Sequence, residues 1–129
     1  MDIQKKIQSL NLPKDSFIVV GSGILGALGI RESNDIDMIV SQEVFDKLDA
    51  AGWEHDAWAD QTVLKQNLFD LGTHWSGQTV DALLQHATVI NDIPYLSLDD
   101  LLVWKKERAR PKDIVDVQLI SDYQQRQAA

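Results

Sequence analysis

The chain contains no cysteine, and that absence removes disulfides, thiolate catalysis and thiolate metal sites together. Any metal must then be held by oxygen or imidazole, and oxygen-rich ligation favours magnesium, manganese or calcium over zinc. Long apolar runs are missing too. The longest, residues 17–20 and 24–30, fall far below the roughly 20 residues of a bilayer span, and the N-terminus shows no signal-peptide h-region. The expectation is a soluble, cytoplasmic protein with no membrane partner. Positive net charge is also lacking: a formal charge of −8 argues against a protein that coats a phosphate backbone by charge alone. His55, His74 and His86 show no metal-ligand spacing, and no repeat, linker or low-complexity stretch interrupts the chain. With 44% apolar residues in 129, one domain over 1–129 can bury a core, spanning about 14–122 with a polar tail at 123–129.

What the sequence offers is concentrated in residues 17–40, which read as a strand, a small-residue turn, a short apolar helix and a second strand. In an extended chain residues i and i+2 share a face, so Asp35 and Asp37 project together while Ile36 and Met38 face the core. Two neighbouring carboxylates repel unless a cation or a shared proton lies between them. The pair therefore asks for a metal; the alternative is a solvated strand end. A second concentration is the basic run Lys105, Lys106, Arg108, Arg110 and Lys112, which can be no more than a solvated helix end complementing the macrodipole.

Periodicity and punctuation predict the remaining elements. A helix is expected over residues 3–10, a buried strand over 17–20, a buried helix over 24–30 and a strand over 35–40. Ser41 caps a helix over 42–51 that Gly52 stops. Residues 53–55, 62–69 and 79–84 read as strands, with Gly72 and Gly77 marking the connection between the last two. Residues 93–96 suit a short strand, Ser97 caps a helix reaching about 109, and Pro111 opens a final helix. The fold class is α/β or α+β, a mixed sheet flanked by helices with two of them at the C-terminus.

Gly21-Ser-Gly23-Ile-Leu-Gly26 matches the G-x-G-x-x-G dinucleotide fingerprint in its letters. That fingerprint also needs a full-length helix and an acid at the far end of the next strand. Here about eight residues separate Gly26 from that strand, and the acids stand at its beginning. Val20-Gly21-Ser22, twelve residues and then Asp35-Ile36-Asp37-Met38 instead resembles the signature of the nucleotidyltransferase superfamily. That fold is shared by DNA polymerase beta and antibiotic nucleotidyltransferases. Leu98 to Lys105 followed by Arg110-Pro-Lys-Asp113 and Asp116 is similar to the tail of small bacterial members, including those of the abortive-infection toxin type.

The resemblance implies transfer of a nucleoside monophosphate from a nucleoside triphosphate to a hydroxyl-type acceptor, with pyrophosphate released. It implies two magnesium or manganese ions per site, held by Asp35, Asp37 and a third carboxylate from a later strand. The best match for the third is Asp81, which would also serve as general base, with Asp70 a weaker candidate. The Gly21-Ser22 turn would present backbone N–H groups and the Ser22 hydroxyl to phosphate. Arg31 and Lys105 are the candidate triphosphate cations, with Lys106 and Lys112 behind them. Asp113 and Asp116 read as helix-start carboxylates. The tryptophans, Trp53, Trp58, Trp75 and Trp104, read first as packing and secondarily as a base-stacking platform.

Two other readings stay open: a catalytically silent member that binds nucleotide or a partner protein, as in a toxin–antitoxin pair, and a dinucleotide-binding module. The acceptor, whether small molecule, RNA or protein, is not specified by these residues. So short a chain leaves little room for an acceptor domain, which suggests a homodimer or a partner protein completing the cleft.

Overall fold

Aliphatic runs flanked by turn residues build one mixed sheet, and amphipathic segments with polar caps build the helices around it. A computed structural model describes residues 2–128; Met1 and Ala129, the ends of the expected 1–129 span, lie outside the described residues. The order is α1 (Ile3–Gln8), β1 (Phe17–Val20), α2 (Gly23–Ala27), β2 (Ile36–Val40), α3 (Gln42–Ala50), β3 (Glu54–Trp58), β4 (Gln61–Gln66), β5 (Phe69–Gly72), α4 (Val80–Leu84), β6 (Thr88–Ile90), β7 (Ile93–Tyr95), α5 (Leu98–Arg108) and α6 (Pro111–Ala128). The seven strands lie in the order β3-β4-β5-β2-β1-β7-β6. β1 pairs antiparallel with β2 and parallel with β7, while β2 pairs parallel with β5.

The central strands carry the core. Ile18, Val19 and Val20 of β1 and Ile36, Met38, Ile39 and Val40 of β2 are all buried, the continuous apolar pattern of strands covered on both faces. Asp37 is the one polar residue within β2, and the core must accommodate it for a reason other than packing. Ser41 and Ser97 each accept a backbone N–H three residues on, at 3.2 and 3.1 Å, and so fix where α3 and α5 begin. Ala109 ends α5 in the left-handed conformation (φ 53°), and Pro111 opens α6 with its preset φ.

The structure corrects two expectations. Residues 62–69 are not one strand: Asn67 takes φ 53°, and the chain reverses there into the β4–β5 hairpin with Gln66 opposite Phe69. Residues 79–84 form helix α4 rather than a strand, because Thr79 flanks a short helix whose Val80 and Leu83 are buried at i,i+3 spacing. The tail continues as helix α6 to Ala128. Strand β6 has no counterpart among the expected elements, and β3 runs on to Trp58. No helix among the described residues is long and apolar enough to cross a membrane.

Candidate active site

The site begins where β1 turns into α2. Gly21 sits at φ +61°, and a Cβ built on it would lie 3.1 Å from Asp37 Oδ2. Both the left-handed backbone and the close approach of a carboxylate therefore require glycine. Val20 stands opposite Asp37 in the β1–β2 register, so the Gly21-Ser22 turn is held against the acid strand by the sheet itself. Ser22 precedes α2 without using its hydroxyl as a cap. The five residues of α2 are too few for the full helix that a dinucleotide fold places here.

Asp35 lies just before β2 and is exposed, whereas Asp37 is half-buried within it. The residue beside Asp37 is Asp70, its register partner across the parallel β2–β5 pair. Burial, the charges of Asp70 and Asp35 and a hydrogen bond to Asp70 together push the Asp37 carboxyl up to about 6, partly offset by Lys65. Lys65 Nζ is 3.1 Å from Asp70 Oδ1. The sequence resemblance favours Asp81 as third carboxylate, but Asp81 stands exposed in the first turn of α4. The signal in favour of Asp70 is Asn67, a residue that tolerates the left-handed conformation and ends β4 in time to place Asp70 on its own strand.

The cations converge from two distant parts of the sequence, Arg31 from the loop between α2 and β2, Lys105 and Arg110 from the C-terminal helices and their junction. Arg31 binds Asp116 through two bonds, Nε to Oδ1 at 2.7 Å and Nη2 to Oδ2 at 2.8 Å. Lys105, 3% exposed, lies 2.8 Å from Asp116 and 3.4 Å from Asp113. Arg110 holds Asp113 through Nε at 2.6 Å. Asp113 is pulled down to about 2, first by the Arg110 hydrogen bond against the cost of burial. Burial opposes the ionisation of Asp116, but its bonds to Arg31 and Lys105 outweigh that cost and hold it below the usual carboxylate range. Both aspartates are thus buried ion-pair partners; Asp113 is also a helix-start carboxylate, in the first turn of α6 and accepting the Arg110 backbone N–H at 3.2 Å, whereas Asp116 lies beyond that turn. Asp113 and Asp116 share the face of α6 that meets Lys105, as residues three apart do. Lys106 is exposed.

Between the two groups lies a cleft of about 600 Å³ lined by Gly21, Ser22, Arg31, Asp37, Lys105, Lys112 and Asp116, together with Trp58, Trp75, Trp104, Arg108 and Arg110. Basic side chains outnumber acidic ones on its wall, against a net charge of −8 for the chain. Such a cleft attracts a polyanion in spite of the whole-molecule charge. Five of the sequence-predicted residues, Gly21, Ser22, Arg31, Asp37 and Lys105, line it together.

The donor set suits a hard divalent cation. Asp35, Asp37 and Asp70 offer only oxygen, and Asp37 is destabilised as an anion first by burial and then by its two carboxylate neighbours. Among the described residues no three acidic, histidine or cysteine side chains are grouped as a self-sufficient metal cage. Magnesium does not need one, since it is commonly held by one or two carboxylates plus substrate phosphates.

A mixed sheet with a glycine turn set against strand aspartates is the nucleotidyltransferase arrangement that the sequence resembles. The family model described as nucleotidyltransferase of unknown function (DUF6036) matches residues 1–124, and the chain belongs to that family. No curated protein and no solved structure matches it.

Proposed function

We propose that this protein transfers a nucleoside monophosphate from a nucleoside triphosphate to a hydroxyl-type acceptor. The observation that carries the reading is the single cleft in which the Gly21-Ser22 turn and Asp37 face Arg31 and Lys105. Arg31 and Lys105 bind the triphosphate, with Asp116 fixing both cations so that little side-chain freedom is lost on binding. The backbone N–H groups of the turn and the Ser22 hydroxyl hydrogen-bond phosphate oxygens. Asp37 and Asp70, with Asp35 just before β2, would hold magnesium or manganese together with the substrate phosphates, and the ion would supply charge neutralisation of the phosphates and alignment of the reacting oxygens. Asp70 takes the place that the resemblance gives to Asp81 and accepts the acceptor's hydroxyl proton. The acceptor oxygen bonds to the α-phosphorus, the bond from that phosphorus to the bridging oxygen breaks, and pyrophosphate leaves with the electron pair.

The test is a thermal melt joined to a transfer assay. Nucleoside triphosphates should raise the melting temperature with magnesium or manganese present and not without, and NAD or NADP should have no effect. Labelled triphosphates incubated with total RNA, total protein and an aminoglycoside panel should then label one acceptor class. A metal-independent shift with NAD alone would overturn the reading. Metal-dependent binding with no transfer to any acceptor would favour the silent, partner-binding alternative.

A further inference from the structure

Three tryptophans meet on the wall of this cleft. Trp58 and Trp75 pack edge to face with centroids 6.1 Å apart, and Trp75 and Trp104 lie 4.7 Å apart at 39°. All three are half-buried, so they leave aromatic surface facing water inside a concave site, where core packing would have covered it. Trp53 behaves differently, being buried against Phe69. The wall is rigidly backed: Gln61 Nε2 donates to the His74 carbonyl at 2.7 Å and Gln61 Oε1 accepts from Thr73 N at 2.9 Å, tying the start of β4 to the loop that carries Trp75.

Two features say what the wall would hold. The exposed Arg108 guanidinium lies 4.8 Å from the Trp104 ring centroid, and among the described residues no carboxylate forms an ion pair with it. A flat cation thus already stands against the indole, where a planar ligand ring can stack with it. Trp104 is also the neighbour of Lys105 on α5, so the ring wall and a phosphate-facing cation belong to one turn of one helix. Near the wall, Gln61 is committed as described and His74 faces Asp60 at 3.0 Å, so this amide and imidazole are already engaged within the protein.

We propose that Trp75, Trp104 and Arg108 form the seat for the nucleobase of the donor triphosphate, held by stacking and therefore tolerant of base identity. The inference rests on the donor reading above and adds the recognition of the base. Every base has a π-face, and a stacked base is worth enough that losing its platform weakens binding by roughly tenfold or more.

Tryptophan fluorescence titrations with magnesium present test it, using ATP, GTP, CTP, UTP, inorganic tripolyphosphate and adenosine. The four triphosphates should quench with affinities within about fivefold of one another, and bind at least about tenfold more tightly than tripolyphosphate. Trp104→Ala should bring ATP down to the tripolyphosphate level while leaving tripolyphosphate itself unchanged, and Trp104→Phe, which retains a stacking face, should restore most of the difference. Trp53→Phe should keep the quenching. Equal affinity for ATP and tripolyphosphate would overturn the base seat while leaving the donor reading intact. Binding of neither would overturn both. Quenching by adenosine that persists under saturating ATP would assign the wall to the acceptor and equally overturn a donor seat.

Discussion

Replacing Asp37 by asparagine should stabilise the metal-free protein, and the gain should depend on pH in a defined direction. The Asp37 carboxyl moves from 3.8 to about 6 on folding because of burial, Asp70 and Asp35. A raised carboxyl means that the native state keeps a proton the unfolded chain has released. Its contribution is intact below about 4 and is lost as pH rises through about 6. At about 1.4 kcal/mol per pH unit, the cost of ionised Asp37 at pH 8 is about 3 kcal/mol. For a chain of this length 1 kcal/mol corresponds to roughly 4 °C in melting temperature. The substituted amide would keep the shape and can donate to Asp70, but it must still be desolvated, which reduces the gain. Asp37→Asn should therefore melt about 4 to 8 °C above wild type at pH 8 in chelator, and nearly level with it at pH 4. Titrating groups remote from Asp37 are common to both proteins and cancel in the difference, while the relief of Asp70 and Asp35 from its charge acts in the same direction as the predicted gain. The variant should also lose the stabilisation by magnesium and triphosphate. A lower melting temperature at pH 8, or the same gain at both pH values, would refute the account of Asp37 as a strained anion.

Asp70→Asn should abolish transfer while keeping most of the magnesium-dependent shift with triphosphate, whereas Asp81→Asn should leave transfer within about twofold; single-turnover assays and melts separate the two. Asp116→Ala would strip the buried Lys105 of its nearer partner and should cost about 3 kcal/mol or more, read as a lower urea midpoint at unchanged slope. Asp113 is held down to about 2, so it contributes about 2 kcal/mol above pH 4 that disappears as pH falls toward 2. Urea midpoints at pH 5 and 2.5 should show that loss in wild type and much less of it in Asp113→Asn.

The part of the fold that depends on local spacing is readable from sequence. β1, the glycine turn and β2 follow from an uninterrupted apolar run, three glycines and an alternating Asp-Ile-Asp-Met, each a short-range signal. The caps at Ser41 and Ser97 are equally local. Two misreadings share a cause: 62–69 and 79–84 are short apolar segments whose period does not distinguish strand from turn or helix. Asn67, a local turn residue inside the first run, reverses the chain there, whereas tertiary burial of Val80 with Leu83 decides the second. That ambiguity separates Asp81, the carboxylate favoured by sequence, from Asp70, the one beside Asp37. The helix-start place of Asp113 is legible, but the ion pairs of Asp113 and Asp116 with Lys105 and Arg31 are not, because they depend on how α5 and α6 fold back on each other and on Arg31, far away in sequence. The tryptophan wall is hidden for the same reason: Trp58, Trp75 and Trp104 come from three separate elements, with no common period.

The Arg31–Asp116 bridge joins residues 85 positions apart, so the cleft is complete only when a contact of long sequence separation, with its loop-closure cost, is made. The sheet centre and its carboxylates belong to residues 17–72, whose hairpins and neighbouring strands can pair early. The cations gain their final positions only when α6 docks and Asp116 reaches both Arg31 and Lys105. A chain with α6 undocked would keep the acid cluster but scatter the phosphate-binding charges. Docking of the last helix and capture of a polyanion are then linked equilibria: each favours the other by the same factor, and saturating ligand should slow hydrogen exchange in α6 more than in the central strands.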